Sequence, residues 1–162
     1  MGVDRRRDAC DTRCVPSEQK QASIDRMNAG MHDFVPHNRE LGLAVVDFRH
    51  PSGELWMRLP YDARLVGNPD DGMLHGGAIT TLMDAACGMA VMVRLGTASR
   101  IATLDLRIDH LKPGTPGRDV VAHTECYKVT RSVAFVRGFA HHGDADDPIA
   151  AVAASFIRKD AA

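Results

Sequence analysis

Three things are scarce in this 162-residue chain, and each scarcity removes a class of protein. Charge of one sign is missing: 20 Lys and Arg stand against 21 Asp and Glu, a net charge of −1. So balanced a surface is not built to neutralise a phosphate backbone, and no nucleic-acid partner is expected. Long apolar runs are missing too. No stretch approaches the roughly 18 apolar residues of a bilayer span, and no apolar segment follows Arg5-Arg6-Arg7 in the charged N-terminal region. Neither membrane attachment nor secretion is expected. Cysteine is sparse: of 4 Cys, Cys87 and Cys126 fall in apolar-patterned segments and make no disulfide framework. A reducing, cytoplasmic location follows as the expectation. Cys10 and Cys14 form a C-x3-C in a polar tail, where zinc would need two further ligands, His32 and His37 being nearest. Composition there favours an unstructured tail, and neither metal nor cofactor is expected.

What is present suits one domain, with 44% apolar residues to build a core. Residues 1–16, charged and broken by Pro16, read as a disordered leader. From Ser17 a polar stretch carries Ile24, Met27 and Met31 at helical spacing, which predicts a Ser-capped helix over 17–35 that packs on a domain edge. The single domain then covers 36–160. Leu41 to Phe48 and Gly53 to Leu59 read as strands joined by the His50-Pro51-Ser52-Gly53 turn. Tyr61 to Met73 is the longest irregular stretch. Four more β-rich runs follow late in the chain: Arg100 to His110, Asp119 to Val129, Ser132 to His142 and Pro148 to Lys159. In the first of these, Leu104, Leu106 and Ile108 alternate with Asp105, Arg107 and Asp109, predicting one core face and one wet face.

Between the two groups of strands lies the main helix, Ala78 to Leu95. Ile79, Leu82, Met83, Ala86, Ala90 and Val93 form its apolar stripe. Its other side, with Thr80, Thr81, Asp84, Ala85, Gly88 and Val91, offers no properly solvated face, so the helix should be buried almost all round. Short turns between consecutive strands favour an antiparallel sheet, curved to wrap that helix, in an α+β domain. The side bearing Thr81, Ala85 and Gly88 would meet a second copy of the same helix, since small residues let two backbones approach; a homodimer is expected.

Between Gly72 and Val93 the ionisable groups are His75, Asp84 and the weak acid Cys87. An Asp in the middle of an apolar helix is costly to bury. By spacing alone, Asp84 is either a functional carboxylate or one that accepts hydrogen bonds from a neighbouring strand or meets an Arg across a dimer. His75-Gly76-Gly77 stands at the helix start, where two glycines admit a ligand close to the backbone and first-turn N–H groups can face a developing negative charge. Equally, the glycines could satisfy a tight turn and His75 could be a structural hydrogen-bonder. Cys87 has no His partner to activate it and reads as a small apolar helix residue.

Leu74-His75-Gly76-Gly77-Ala78-Ile79-Thr80-Thr81-Leu82-Met83-Asp84 resembles the signature of hotdog-fold acyl-CoA thioesterases of the phenylacetic-acid-pathway (PaaI-like) subgroup. The likeness runs more loosely from about Leu41 to Lys159 and includes the Lys112-Pro113-Gly114 turn. It implies a curved antiparallel sheet around a long central helix, with hydrolysis of acyl-CoA to free acid and CoA. Asp84 would be the general base or the nucleophile, and Gly76, with Gly77 beside it, would present N–H groups to the thioester carbonyl. Asn68 is the candidate for the Asn that positions water or carbonyl, one residue further from the His than the family pattern places it. Thr103 matches a hydroxyl residue that assists; strand parity turns it away from the face of Leu104, so it needs a local bulge or the partner subunit to reach the site. The resemblance also implies an active site shared across a homodimer, Asp84 of one chain facing Gly76 of the other, and a dimer of dimers.

Arg100, Lys112, Lys128 and Arg131, at strand ends and turns, are candidates for the phosphates of CoA, although exposed cations are normal on any surface. Met73, with Met83, Met89 and Met92, could line an acyl channel, or simply fill core. Two rivals remain: a hotdog enoyl-CoA hydratase, for which Asp70 and Asp71 precede His75, and a non-catalytic acyl-CoA sensor with a structural Asp84.

Overall fold

A computed structural model describes residues 17–158; the expected leader and the Cys10/Cys14 pair lie outside them. In chain order the elements are α1 (Glu18–Phe34), α2 (Pro36–Glu40), β1 (Ala44–Arg49), β2 (Glu54–Leu59), β3 (Val66–Asn68), β4 (Met73–Leu74), α3 (Gly76–Leu95), β5 (Ile101–His110), β6 (Val120–Val129), β7 (Val133–His141) and β8 (Ala150–Arg158). Six strands make one antiparallel sheet in the order β1-β2-β6-β7-β8-β5, and β3 and β4 form a separate two-stranded ribbon. All six long strands were expected. The ribbon was not, because strands of three and two residues are too short to show a period of two. The five-residue α2 escaped notice for the same reason, although Pro36 stands at its first turn, where a missing N–H costs nothing.

The sheet wraps α3, whose stripe of Ile79, Leu82, Met83, Ala86, Ala90 and Val93 is buried against Leu55, Met57 and Leu59 of β2 and Val120, Ala122 and Cys126 of β6. A buried Thr124 hydroxyl donates to the Ala86 carbonyl at 3.2 Å, tethering helix to sheet. α3 begins two residues earlier than the periodicity implied, with His75 as its N-cap, and stops at Gly96, whose φ of 68° suits a left-handed cap. Although α3 is long and apolar enough to cross a membrane, it is the core helix of this fold.

Within a single chain α3 is not covered all round: Val91 is buried, but Thr80, Thr81, Asp84, Ala85 and Gly88 form a half-buried strip. The sheet reaches around one side of the helix and no further.

The two sheet edges are finished differently. Ser17 caps α1 by accepting from the Lys20 N–H, and the buried Ile24 and Met31 seat the helix on the domain edge, as its thin apolar face suggested. From there Asn28 donates to the Val45 carbonyl at 3.1 Å and accepts from its N–H at 2.7 Å, as a neighbouring strand would. His32 bonds the Leu43 carbonyl at 2.7 Å, and Lys20 pairs with Asp47. On the other edge no described strand lies beyond β5.

Candidate active site

β5 carries the feature on which the site turns. Its pairing with β8 slips between Thr103 and Asp105, so Leu104 is an extra residue in a bulge, 55% exposed. The predicted core face through Leu104 is therefore corrected. Residues opposite one another on paired strands share a face. Thr103 lies opposite Phe156, Leu106 opposite Ala154 and Ile108 opposite Val152, and these three partners belong to the core. The bulge thus turns Thr103 inward, toward α3, and turns Leu104 out. There the Thr103 hydroxyl donates to Asp84 Oδ1 at 3.0 Å. Asp84 stands on the half-buried strip of α3, two turns from the helix start.

At that start the imidazole of His75 accepts the Gly77 N–H on Nδ1 at 2.9 Å, and the His75 carbonyl accepts from Ala78. Gly77 N–H, one of the two expected oxyanion donors, is therefore occupied. Gly76 N–H has no acceptor among the described residues. A Cβ on Gly77 would come within 2.8 Å of His75 Nδ1, so this glycine makes the cap possible.

Asn68 is spent on its own turn: Oδ1 accepts from Asp70 N–H at 3.1 Å and Nδ2 donates to Asp71 at 3.4 Å. The β3–β4 ladder bulges between Val66 and Asn68. Asp71 accepts from the Met73 N–H, and Asp70 and Asp71 are exposed. Met73 and Met89 are half-buried while Met83 is fully buried core.

The four cations divide. Arg100, Lys128 and Arg131 lie toward the same end of the sheet, where β5 begins and the β6–β7 turn lies. Lys112 follows the opposite end of β5 and is paired with Asp147. Cys87 is fully buried, and burial, aided by the Asp84 charge, pushes its thiol far above the ordinary range; it stays a thiol. No group of three or more His, Cys, Asp or Glu gathers to hold a metal among the described residues.

Sequence reasoning missed two features. A groove of about 420 Å³ beside the helix start is lined by His37, Leu41, Arg64, Leu65 and Val66 together with His75. Its walls come from α2 and the irregular stretch, neither of which carried a usable period. Arg64 is held there by Asp62, which accepts two bonds from its guanidinium, at 2.9 and 2.6 Å. The second is His110, whose ring lies against Gly76. No spacing rule links residues so far apart in the chain.

An antiparallel sheet around one long helix, with a carboxylate and a hydroxyl joined on that helix's open side, defines a hotdog-type domain. By comparison with known proteins the chain belongs to the thioesterase superfamily, a class of thioester hydrolases, which it matches over residues 71–149. It is 30% identical over 123 residues to the medium/long-chain acyl-CoA thioesterase YigI of Salmonella typhimurium, covering 68% of this chain and 77% of that one. To VNG_1336C of Halobacterium salinarum it is 35% identical over 96 residues, spanning 57% of this chain and 61% of that relative's length. A solved Pseudomonas aeruginosa structure is 42% identical, with a TM-score of 0.73, covering 83% of this chain and 98% of that one. A phenylacetic acid degradation-related protein from Ralstonia eutropha, 21% identical, shares the fold at a TM-score of 0.69 over 83% of this chain and 98% of its own.

Proposed function

We propose that the protein hydrolyses acyl-CoA thioesters to the free acid and CoA, acting in the cytoplasm as a homodimer that pairs into a tetramer. The hydrogen bond from Thr103 to Asp84 carries this reading. It pins one carboxylate oxygen and leaves the other to take a proton from an attacking water, on a helix face that the chain itself leaves half open. That face, through Thr81, Ala85 and Gly88, would meet a second copy. Asp84 would then face the partner subunit's Gly76, whose N–H would receive the thioester carbonyl oxygen. His75 and Gly77 shape this helix start, and Asn68 holds the turn ahead of it. The groove of about 420 Å³ suits an acyl group, being within the usual size of small-molecule sites. Similarity to YigI supports a medium- to long-chain acyl group. Arg100, Lys128 and Arg131 would meet the phosphates of CoA, with Lys112 and Met73 at the far side of the site.

The test is thiol release from short-, medium-, long-chain and aromatic acyl-CoAs by the wild type and by Asp84→Asn, with sedimentation to read the assembly. Turnover with a medium- or long-chain optimum, lost in Asp84→Asn, is expected. Bound but uncleaved acyl-CoA would favour a sensor instead.

A further inference from the structure

The two-donor oxyanion hole implied by His75-Gly76-Gly77 is incomplete in the folded chain. Gly77 N–H is taken by His75 Nδ1 and Ala78 N–H by the His75 carbonyl, which leaves Gly76 N–H alone. A tetrahedral oxyanion is normally held by more than one donor. Another donor stands beside Gly76. His110, the last residue of β5, places the Cε1–Nε2 edge of its ring 3.4 and 3.5 Å from where a Cβ on Gly76 would be. A Cβ there would be in ordinary van der Waals contact with the ring, so this edge of the imidazole borders the helix start directly. His110 is solvent-exposed, and its ring makes no hydrogen bond to any described residue. Whereas His32, His75 and His142 spend ring nitrogens on backbone groups, both nitrogens of His110 are open to a ligand.

We propose that His110 is a further catalytic residue: its Nε2–H donates a hydrogen bond to the thioester carbonyl oxygen beside Gly76 N–H, replacing the donor that His75 has removed. The inference rests on the thioesterase reading. No proton is transferred in this role; the N–H–O bond strengthens as charge builds on the oxygen when water attacks, and it relaxes when the carbonyl re-forms and the thiolate departs. β5 then serves the reaction at both ends, Thr103 holding the base of one site and His110 the oxyanion of the other.

The experiment compares wild type, His110→Phe and His110→Gln in steady-state thiol release from the best acyl-CoA, with thermal unfolding of each. Phe keeps a ring against Gly76 without a nitrogen, and Gln carries an amide N–H to the place of Nε2. For His110→Phe kcat is expected to fall about 10- to 100-fold with KM within about threefold, and Gln should recover most of the loss. The lower end of that range reflects an exposed donor. A kcat for His110→Phe within about twofold of wild type would overturn the proposal, as would losses in Phe and Gln that match each other and track lowered Tm. A wild type that cleaves no acyl-CoA would remove this inference and the thioesterase reading together; turnover lost in Asp84→Asn but kept in His110→Phe would remove this one alone.

Discussion

The two edges of the sheet make opposite use of the same backbone chemistry. At β1, Asn28 satisfies both polar groups of Val45 and His32 bonds the Leu43 carbonyl, so α1 seals the edge. At β5, no described strand follows, a bulge turns Leu104 to solvent, and the residues facing α3 include the hydroxyl that grips Asp84. An unsealed edge is a template for pairing with another chain, so proteins usually cover, charge or bend it. This chain covers the edge remote from Asp84 and leaves open the one beside it. Under the proposed function, the contrast assigns stability and reactivity to separate margins of one sheet, and it can be attacked from either side.

The largest effect is expected at the open margin. Asp84→Asn should lower kcat about a hundredfold or more, about 2.7 kcal/mol, with the urea midpoint nearly unchanged. Rates equal to wild type would remove Asp84 from the chemistry. Next comes the sealed margin, where Asn28→Ala orphans two backbone groups of Val45 and should cost about 1–2 kcal/mol in urea unfolding, with kcat unaltered. A loss of activity at wild-type stability would show that the margins are not separate. Thr103→Val should reduce kcat about five- to tenfold, and Thr103→Ser should retain it, since only the hydroxyl touches Asp84.

The smallest effect serves as a control between the margins. Burial holds the imidazoles of His123 and His141, both within the sheet, below their ordinary value. Below about pH 6.5 the unfolded chain therefore binds protons that the fold resists. Stability should be full above that pH and decline as pH falls toward the depressed native values. Unfolding midpoints of wild type and Asn28→Ala should shift in parallel over that window, because neither histidine belongs to an edge. A flat profile would show that these histidines titrate alike in both states.

Much of the fold was legible because it rests on periods. The α3 stripe, the six strands and the Ser17 cap each leave a local mark in residue order. The failures share a physical origin as well. Leu104 was assigned to the core because alternation assumes an unbroken ladder, and a bulge breaks it without any signal in residue type. A helix start exposes its N–H groups by default, which points to Gly77 as a free donor, and nothing in residue order signals that the His75 side chain folds back on it. The groove beside His37 and Arg64, and His110 against Gly76, depend on contacts between distant segments. Thr103 lies between these cases: parity placed it on the wrong side unless the strand bulged, and the strand does.

The extra residue at Leu104 makes the phase of this strand depend on count as well as on kind. Ahead of the bulge the odd positions look inward, and beyond it the even ones do, so the strand is two half-strands out of phase. A substitution scan would find Leu104 nearly silent, an exposed aliphatic residue that touches no reacting group. Removing it would bring the two half-strands into phase, with Thr103, Asp105 and Leu106 still opposite Phe156, Ser155 and Ala154, so Thr103 would keep its place facing Asp84. The strand carries one residue more than its partner's register needs, and the bulge stores that surplus where it leaves Thr103 turned toward Asp84.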